Sequence, residues 1–351
     1  MTALVPAPCD LVVADLGGTT LRVGRIRAGT SEVRDVRRVP TDGLGRYGTR
    51  DPQELQDRVM EQLTREIAAD VARPGQPPAR AVAVSFAGPM TSDGVVLAGP
   101  TLWGGPAARL PVAEVLAGQL GLPVVVANDV TAAAWRYASA ESEPFCLITV
   151  SSGIGNKVFR HGEIVCDERG YGGEIGHWLV DPAEDAAPCE CGGRGHLGAI
   201  ASGRGALFAV RAAAAADTGA FARSALAGPS GGVPDAITNE AFAAAARAGD
   251  TFAREALRRS LRPLASAVSL LFTAIGVRRY LFVGGFALAL GDTFLTLLGD
   301  ELVRIGCFGL DEYATRAMLA LGEDDDDHCL IGIGQLAAAR LGAPRALKAP
   351  A

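Results

Sequence analysis

CDLVVADLGGTTLRVGRI, residues 9–26, opens as an apolar run, breaks at Gly17-Gly18-Thr19-Thr20, and resumes with Leu21, Val23 and Ile26. The pattern predicts two strands joined by a glycine-rich turn. Bare backbone and two hydroxyls at such a turn can surround a phosphate, and Asp15 just before it can hold a hydrated magnesium ion. The same residues can equally be no more than a turn. A second segment repeats this construction: a strand at 145–150, the turn Ser151-Ser152-Gly153-Ile154-Gly155-Asn156, and a returning stretch at 157–165. Internal duplication predicts two phosphate loops facing each other across a cleft. The P-loop pattern GxxxxGK[ST] is absent from the chain, so any nucleotide is bound by another fold.

Working outward, residues 51–72 place Leu55, Val59, Leu63, Ile67 and Val71 four apart, the stripe of an amphipathic helix. Residues 80–86 predict a buried strand. In the loop 99–105, GPTLWGG, Trp103 either walls a sugar by stacking on its apolar face or lies on the surface without a ligand, and Thr101 offers a hydroxyl. LPVVVA at 122–127 predicts another buried strand, with Asn128 and Asp129 at its carboxyl end, where α/β proteins place their chemistry. Asp129 has two readings: a helix N-cap, or a general base that takes the proton of a hydroxyl attacking phosphorus. Residues 205–275 are Ala-rich and helical, with a break at 228–234, and 280–283 predict a strand closing on Gly284-Gly285-Phe286, where close backbone approach admits an adenine ring or its ribose. The acidic run 323–327 is expected to be a solvated loop, 330–341 a final helix, and the tail disordered.

Residues 172–202, GGEIGHWLVDPAEDAAPCECGGRGHLGAIAS, carry two further constellations. Glu174 and His177, three apart, fall on one side of a short helical turn and can grip neighbouring hydroxyls. Cys189, Cys191 and His196 join His177 to make four soft or borderline ligands, the number zinc prefers. Four protein ligands leave no open position for water, so the expected site is structural. His177 can serve the metal through one ring nitrogen and a substrate hydroxyl through the other.

Composition bounds these readings. A chain of 351 residues suggests two domains, and 49% hydrophobic with 21% charged residues is that of a soluble globular protein. A net charge of -6 argues against binding a nucleic-acid backbone. Neither a long apolar run nor a signal-peptide pattern is present, so no membrane partner and a cytoplasmic location are expected. Seven cysteines without a regular framework fit reduced thiols and one metal site.

DLGGTTLRVG at 15–24, SSGIGNKV at 151–158, Gly284-Gly285-Phe286, the Asn128-Asp129 pair, EIGH at 174–177 and CECGGRGH at 189–196 together resemble the motifs of the ROK family (repressors, open reading frames, kinases) over nearly the whole chain. The resemblance implies an α/β, two-lobed actin/hexokinase/Hsp70-like (ribonuclease H-like) fold with duplicated mixed β-sheet domains around a central cleft. Residues 1–128 would form a sugar- and phosphate-binding lobe, with the helix at 330–342 packing back on it. Residues 129–329 would form a nucleotide-binding lobe carrying the zinc motif, and 343–351 a tail.

The activity implied is ATP-dependent phosphorylation of the primary hydroxyl of a glucose-like sugar. In that scheme Asp129 is the catalytic base. Asn128, Glu174, His177, Thr101 and Trp103 bind the sugar. Asp15, Gly17, Gly18, Thr19, Thr20, Ser152, Gly153, Gly155, Gly284 and Gly285 bind the nucleotide with Mg2+. His177, Cys189, Cys191 and His196 hold a structural Zn2+, and the enzyme is a homodimer or homotetramer. Departures from the family pattern point to a specialised acceptor. His196 replaces a cysteine, and Gly198 replaces a glutamate that binds the sugar near its first two carbons. Thr101 replaces an asparagine, while Ser151 and Asn156 replace glycines of the second phosphate loop. Relatives in antibiotic pathways phosphorylate kanosamine or C7-cyclitols, and an amino or modified glucose such as kanosamine is expected here, with glucose and a C7-cyclitol as alternatives. An inactive sugar-sensing regulator is the rival class. A DNA-binding repressor is not expected, because fourteen residues before Asp15 leave no room for a helix-turn-helix.

Overall fold

The computed structural model describes residues 10–47, 51–141, 143–167 and 169–342, so the tail expected over 343–351 lies outside the described residues. Two compact units emerge, the first within Met1–Ala140, Cys166–Tyr171 and Asp325–Ala351, the second within Glu141–Val165 and Gly172–Asp324.

The first unit begins with the antiparallel strands β1 (Asp10–Leu16), β2 (Thr20–Arg27) and β3 (Val33–Pro40). Helix α1 (Pro52–Val71) follows, started by Pro52 and by Asp51, whose side chain accepts from the Gln53 and Glu54 N–H groups. Then come β4 (Ala79–Phe86), a short hairpin of β5 (Val95–Val96) and β6 (Leu110–Pro111), α2 (Val112–Leu120), β7 (Val124–Asn128) and α3 (Asp129–Tyr137). Both β4 and β7 run parallel to β1, in the order β3-β2-β1-β4-β7.

The second unit repeats this wiring with β8 (Phe145–Val150), β9 (Ile154–Arg160) and β10 (Glu163–Ile164) antiparallel. A 3-10 turn at Ile175–His177 and helices α4 (Leu197–Ala201), α5 (Gly203–Ala216), α6 (Thr218–Ala222), α7 (Asn239–Arg247) and α8 (Thr251–Ile275) lead to β11 (Arg279–Val283). Helices α9 (Gly285–Leu290), α10 (Asp292–Ile305) and α11 (Glu312–Ala317) precede β12 (Leu319–Leu321). The sheet order is β10-β9-β8-β11-β12, with β11 parallel to both β8 and β12. Helix α12 (His328–Gly342) then returns to the first unit.

Period-two alternation along β1 feeds two cores. Val12, Ala14 and Leu16 pack with Leu55, Val59 and Leu63 of α1, while Leu11 and Val13 pack with Leu330, Ile333 and Leu336 of α12. Arg25, only 1% exposed, is tolerated inside this unit because Asp70 at 2.7 Å and the carbonyls of Asp70 and Pro77 pair it. A side chain at Gly332 would place its Cβ 1.7 Å from the Ala132 carbonyl oxygen, so glycine lets α12 lie close against α3. That packing keeps Asp129–Tyr137 in the first unit, and the division falls after Ala140 rather than at Asp129.

The acidic run is the exposed loop expected, and its carboxylates are ion-paired as well as solvated. Arg136 donates to Asp325 at 2.7 Å, and Arg38 and Arg22 pair with Asp326 at 3.1 and 3.2 Å. The hydrogen bond from Arg136 holds the Asp325 carboxyl down at about 2.

Candidate active site

In the first unit the carboxyl ends of three neighbouring strands carry the chemistry. Register pairs Asp15 on β1 with Arg22 across the antiparallel ladder and with Ser85 on the parallel β4, while Phe86 pairs with Asn128 at the end of β7. The Ser85 hydroxyl donates to Asp15 Oδ1 at 2.6 Å, and Arg22 donates to Oδ2 through Nε at 3.2 Å and Nη2 at 2.7 Å. Three of the roughly four lone-pair positions of that carboxylate are thus used, which leaves Oδ1 able to accept from a water of a hydrated Mg2+.

Asn128, not Asp129, is the N-cap of α3. Its Oδ1 accepts from the Val130 and Thr131 N–H groups at 3.0 and 3.3 Å, and its Nδ2 donates to the Gly88 carbonyl at 3.0 Å and to Asp129 Oδ1 at 2.8 Å. Each hydrogen-bonding position of that amide therefore already has a protein partner, through which it caps the helix and restrains Asp129. The Asp129 carboxyl is pushed up to about 6, first by burial and then by the charge of Asp15, against hydrogen bonds from Val130, its own N–H and Asn128. A carboxylate raised to that level is a competent proton acceptor near neutral pH. The Cys329 thiol lies 3.5 Å from the Asp129 carbonyl oxygen, and burial raises its pKa.

The first glycine-rich turn closes through a bond from Gly17 N–H to the Thr20 carbonyl at 3.0 Å. Thr41 clamps it, its N–H on the Thr19 carbonyl at 3.0 Å and its hydroxyl on the Gly17 carbonyl at 2.7 Å. A Cβ at Gly18 would lie 2.9 Å from Thr101 Cβ, so Thr101 sits over the turn. Trp103 does not join it. Only 2% exposed, it packs edge-on against Phe86 at 6.1 Å between ring centroids, in the core of the first unit, and so cannot stack on a sugar.

In the second unit the β8–β9 turn carries Ser152 and Gly153, with Gly155 already in β9 opposite Thr149, and the Ser151 carbonyl accepts from Gly203 N–H at 2.8 Å. Gly284, at φ +96, takes no Cβ, which would meet Thr149 Oγ1 at 2.8 Å and the Val150 carbonyl oxygen at 2.9 Å, whereas Gly285 faces open space. The structure thus brings the second glycine-rich turn, Gly284 and the start of α5 together.

Glu174 precedes the 3-10 turn and His177 ends it, and both are exposed. Gly176 lets that turn rest on β9, because a Cβ there would sit 2.0 Å from the Ile154 carbonyl oxygen. Position 198, at the start of α4, leaves little space: a Cβ would lie 3.1 Å from the Gly176 carbonyl oxygen.

The ligand atoms of His177, Cys189, Cys191 and His196 all lie within 4.8 Å of one another. His177 Nδ1 is 3.7 Å from Cys189 Sγ, and His196 Nδ1 is 3.3 Å from Cys191 Sγ. Tetrahedral zinc with bonds of about 2.3 Å to sulfur and 2.0–2.1 Å to nitrogen separates such atoms by about 3.6 Å, so the donor set and its spacing fit the ion. Glycine is required in the loop, where a Cβ at Gly195, φ +66, would fall 1.8 Å from the Asp181 carbonyl oxygen.

Arg22, Thr41, Ser85 and Lys157 escaped the reading of the sequence. Arg22 was the most legible of these, since a tight turn at 17–20 leaves it opposite Asp15, the pairing the structure shows. Ser85 was the one polar residue in the apolar half of β4, Lys157 was one of three polar residues in β9, and Thr41 carried no signal.

With this geometry the ROK family profile matches residues 12–300, and the chain belongs to the ROK family. It is 90% identical over 351 residues, the whole of both chains, to the C(7)-cyclitol 7-kinase of Streptomyces hygroscopicus subsp. limoneus. Among solved structures it is similar to a ROK family glucokinase from Streptomyces griseus in complex with glucose and AMPPNP (TM-score 0.73, 23% identity, 93% of this chain and 98% of that one). It is also similar to the ROK hexokinase of Thermus thermophilus (TM-score 0.69, 25% identity, 95% and 99% covered). The fold is therefore the α/β, actin/hexokinase-like fold, and the protein is a phosphotransferase with an alcohol group as acceptor. No helix among the described residues is long and apolar enough to cross a membrane.

Proposed function

We propose that this protein transfers the γ-phosphoryl group of ATP to the 7-hydroxyl of a C7-cyclitol. The observation that carries the proposal is the 90% identity, over the whole of both chains, to a C(7)-cyclitol 7-kinase. Position 198 agrees with it. A carbocycle has neither ring oxygen nor anomeric centre, so its edge differs from the first two carbons of a sugar that the family's glutamate serves, and Gly198 supplies no such carboxylate. The relatives do not support the amino-sugar acceptor expected from the sequence, and the cyclitol replaces it.

In this scheme Asp129 takes the proton of the acceptor hydroxyl as its oxygen bonds to the γ-phosphorus and the bond from that phosphorus to the ADP oxygen breaks. Asn128 and the N-terminus of α3 hold Asp129 in place. Glu174, His177 and Thr101 bind acceptor hydroxyls. Gly17, Gly18, Thr19, Thr20, Ser152, Gly153 and Gly155 surround the phosphates, and Gly284 and Gly285 border the adenosine. Asp15 would hold Mg2+, which would neutralise charge on the phosphates. Zn2+ on Cys189, Cys191, His196 and His177 Nδ1 would fix the His177 ring and leave Nε2 for an acceptor hydroxyl. Family likeness extends the proposal to a homodimer or homotetramer in the cytoplasm.

The test is a coupled ADP-release assay with Mg·ATP and a panel of C7-cyclitols, glucose and amino sugars, the product located by phosphorus NMR. The highest kcat/KM is expected on a cyclitol phosphorylated at C7. A higher value on a hexose or amino sugar would overturn the acceptor, and no turnover on any would return the inactive regulator.

A further inference from the structure

We infer that Lys157 is a positioning residue for acceptor recognition: from β9 it holds the Gly172 carbonyl and the Glu174 carboxylate, and so sets where that carboxylate meets the acceptor. The inference rests on the reading of Glu174 as an acceptor-binding group. Lys157 is only 5% exposed. A buried ammonium is costly unless paired, so its partners identify its task. Nζ donates to the Gly172 carbonyl at 2.6 Å and to Glu174 Oε1 at 3.4 Å. The neighbouring Asn156, 1% exposed, accepts from the Ile175 N–H through Oδ1 at 3.0 Å.

Two consecutive buried polar side chains of one strand therefore grip the backbone on both sides of Glu174. The chain lies flat over them at Gly173, φ +74, where a Cβ would fall 2.4 Å from the Asn156 carbonyl oxygen and 2.9 Å from Lys157 Cδ. The Glu174 side chain remains 57% exposed, with lone pairs available beyond the lysine. With glycine at 198, this clamped carboxylate is the acidic group left to recognise the acceptor among the two positions the family pattern provides. Although β9 leaves the second glycine-rich turn, both Nζ contacts go to the 172–174 segment, which separates Lys157 from the phosphate-binding backbone.

The test is Lys157→Met, close in length and lacking the charge, with acceptor and ATP varied separately. The expected result is an acceptor KM raised about 10- to 100-fold, the size of losing a hydrogen bond between charged groups, with the ATP KM within about twofold of wild type. Glu174→Gln should give a similar rise, and the double variant little more than either alone, because the two side chains act as one unit. An unchanged acceptor KM, an ATP KM raised as much as the acceptor's, or additive effects in the double variant would each overturn the inference. If Lys157→Met loses fold or zinc content, Lys157→Gln, which keeps a donor for the Gly172 carbonyl, is read by the same ratios. Whichever acceptor the wild type turns over best is used throughout. Failure of the wild type on cyclitols counts against the proposed acceptor, and failure of the Lys157 ratios on a good acceptor counts against this inference. Neither turnover nor calorimetric binding of any polyol would end both.

Discussion

Asn128 donates to the Asp129 carboxylate at 2.8 Å while its own carbonyl oxygen caps the helix that Asp129 begins. One amide thereby orients the proposed base and anchors the element that carries it. Replacing it with alanine should lower stability by about 0.5–2 kcal/mol through the lost cap. It should also raise the Asp129 pKa further, because that hydrogen bond favours the charged form. Chemical denaturation and the acidic limb of the pH–rate profile check the two effects; a limb that stays in place would separate Asn128 from the base.

Asp129 must be ionised to accept a proton, and burial and Asp15 hold it at about 6. Activity should therefore fall as pH drops through about 6, well above the range of an ordinary carboxylate. Asp129→Asn should lower kcat by about 10² to 10⁴ while acceptor binding survives. Calorimetry with the acceptor distinguishes that from simple loss of the site.

The same shift bears on folding. Between about 4 and 6 the native state holds a proton that the unfolded chain has released, so stability falls as pH rises through this window, and the penalty is fully present above about 6. Asp129→Asn should accordingly stabilise the protein at pH 7.5, by on the order of 1–3 kcal/mol, and lose that advantage near pH 4. Melting curves at the two pH values test the sign.

A zinc ion on His177, Cys189, Cys191 and His196 should appear as one equivalent per chain in purified enzyme. Cys191→Ser should reduce that content and loosen the 186–196 loop, with an accompanying rise in acceptor KM through His177. Metal analysis finding none in active enzyme would refute the ligand set.

At position 198 a glutamate would need the Gly176 carbonyl, 3.1 Å from its Cβ, to give by a few tenths of an ångström. Gly198→Glu should keep the fold, lower cyclitol kcat/KM by about tenfold, the scale of one misplaced polar contact, and narrow the preference over glucose. Competition assays with both acceptors read the ratio.

Local patterning carried much of the fold. Alternation in 9–26 and 145–165, the four-residue stripe from Leu55 to Val71, and glycine-hydroxyl turns are properties of neighbouring residues, and they predicted the duplicated strand–turn–strand units that both sheets contain. The cluster of His177, Cys189, Cys191 and His196 was equally legible, since four donors within twenty residues need only a short loop to meet. Trp103 was misread because nothing local distinguishes a loop indole at a surface from one turned into a core.

Spacing alone thus determined the two glycine-rich turns and the grouping of His177, Cys189, Cys191 and His196, because these depend on interactions within a few residues, while the α/β class followed from the motifs that resemble the family. Tertiary structure alone decided that Arg22 and Ser85 flank Asp15, that Asp129 is raised to about 6, that Lys157 clamps Glu174, and that α3 belongs to the first unit. Those outcomes depend on strand register, on burial and on charges brought near by other strands, and none of these is a property of any single stretch of sequence.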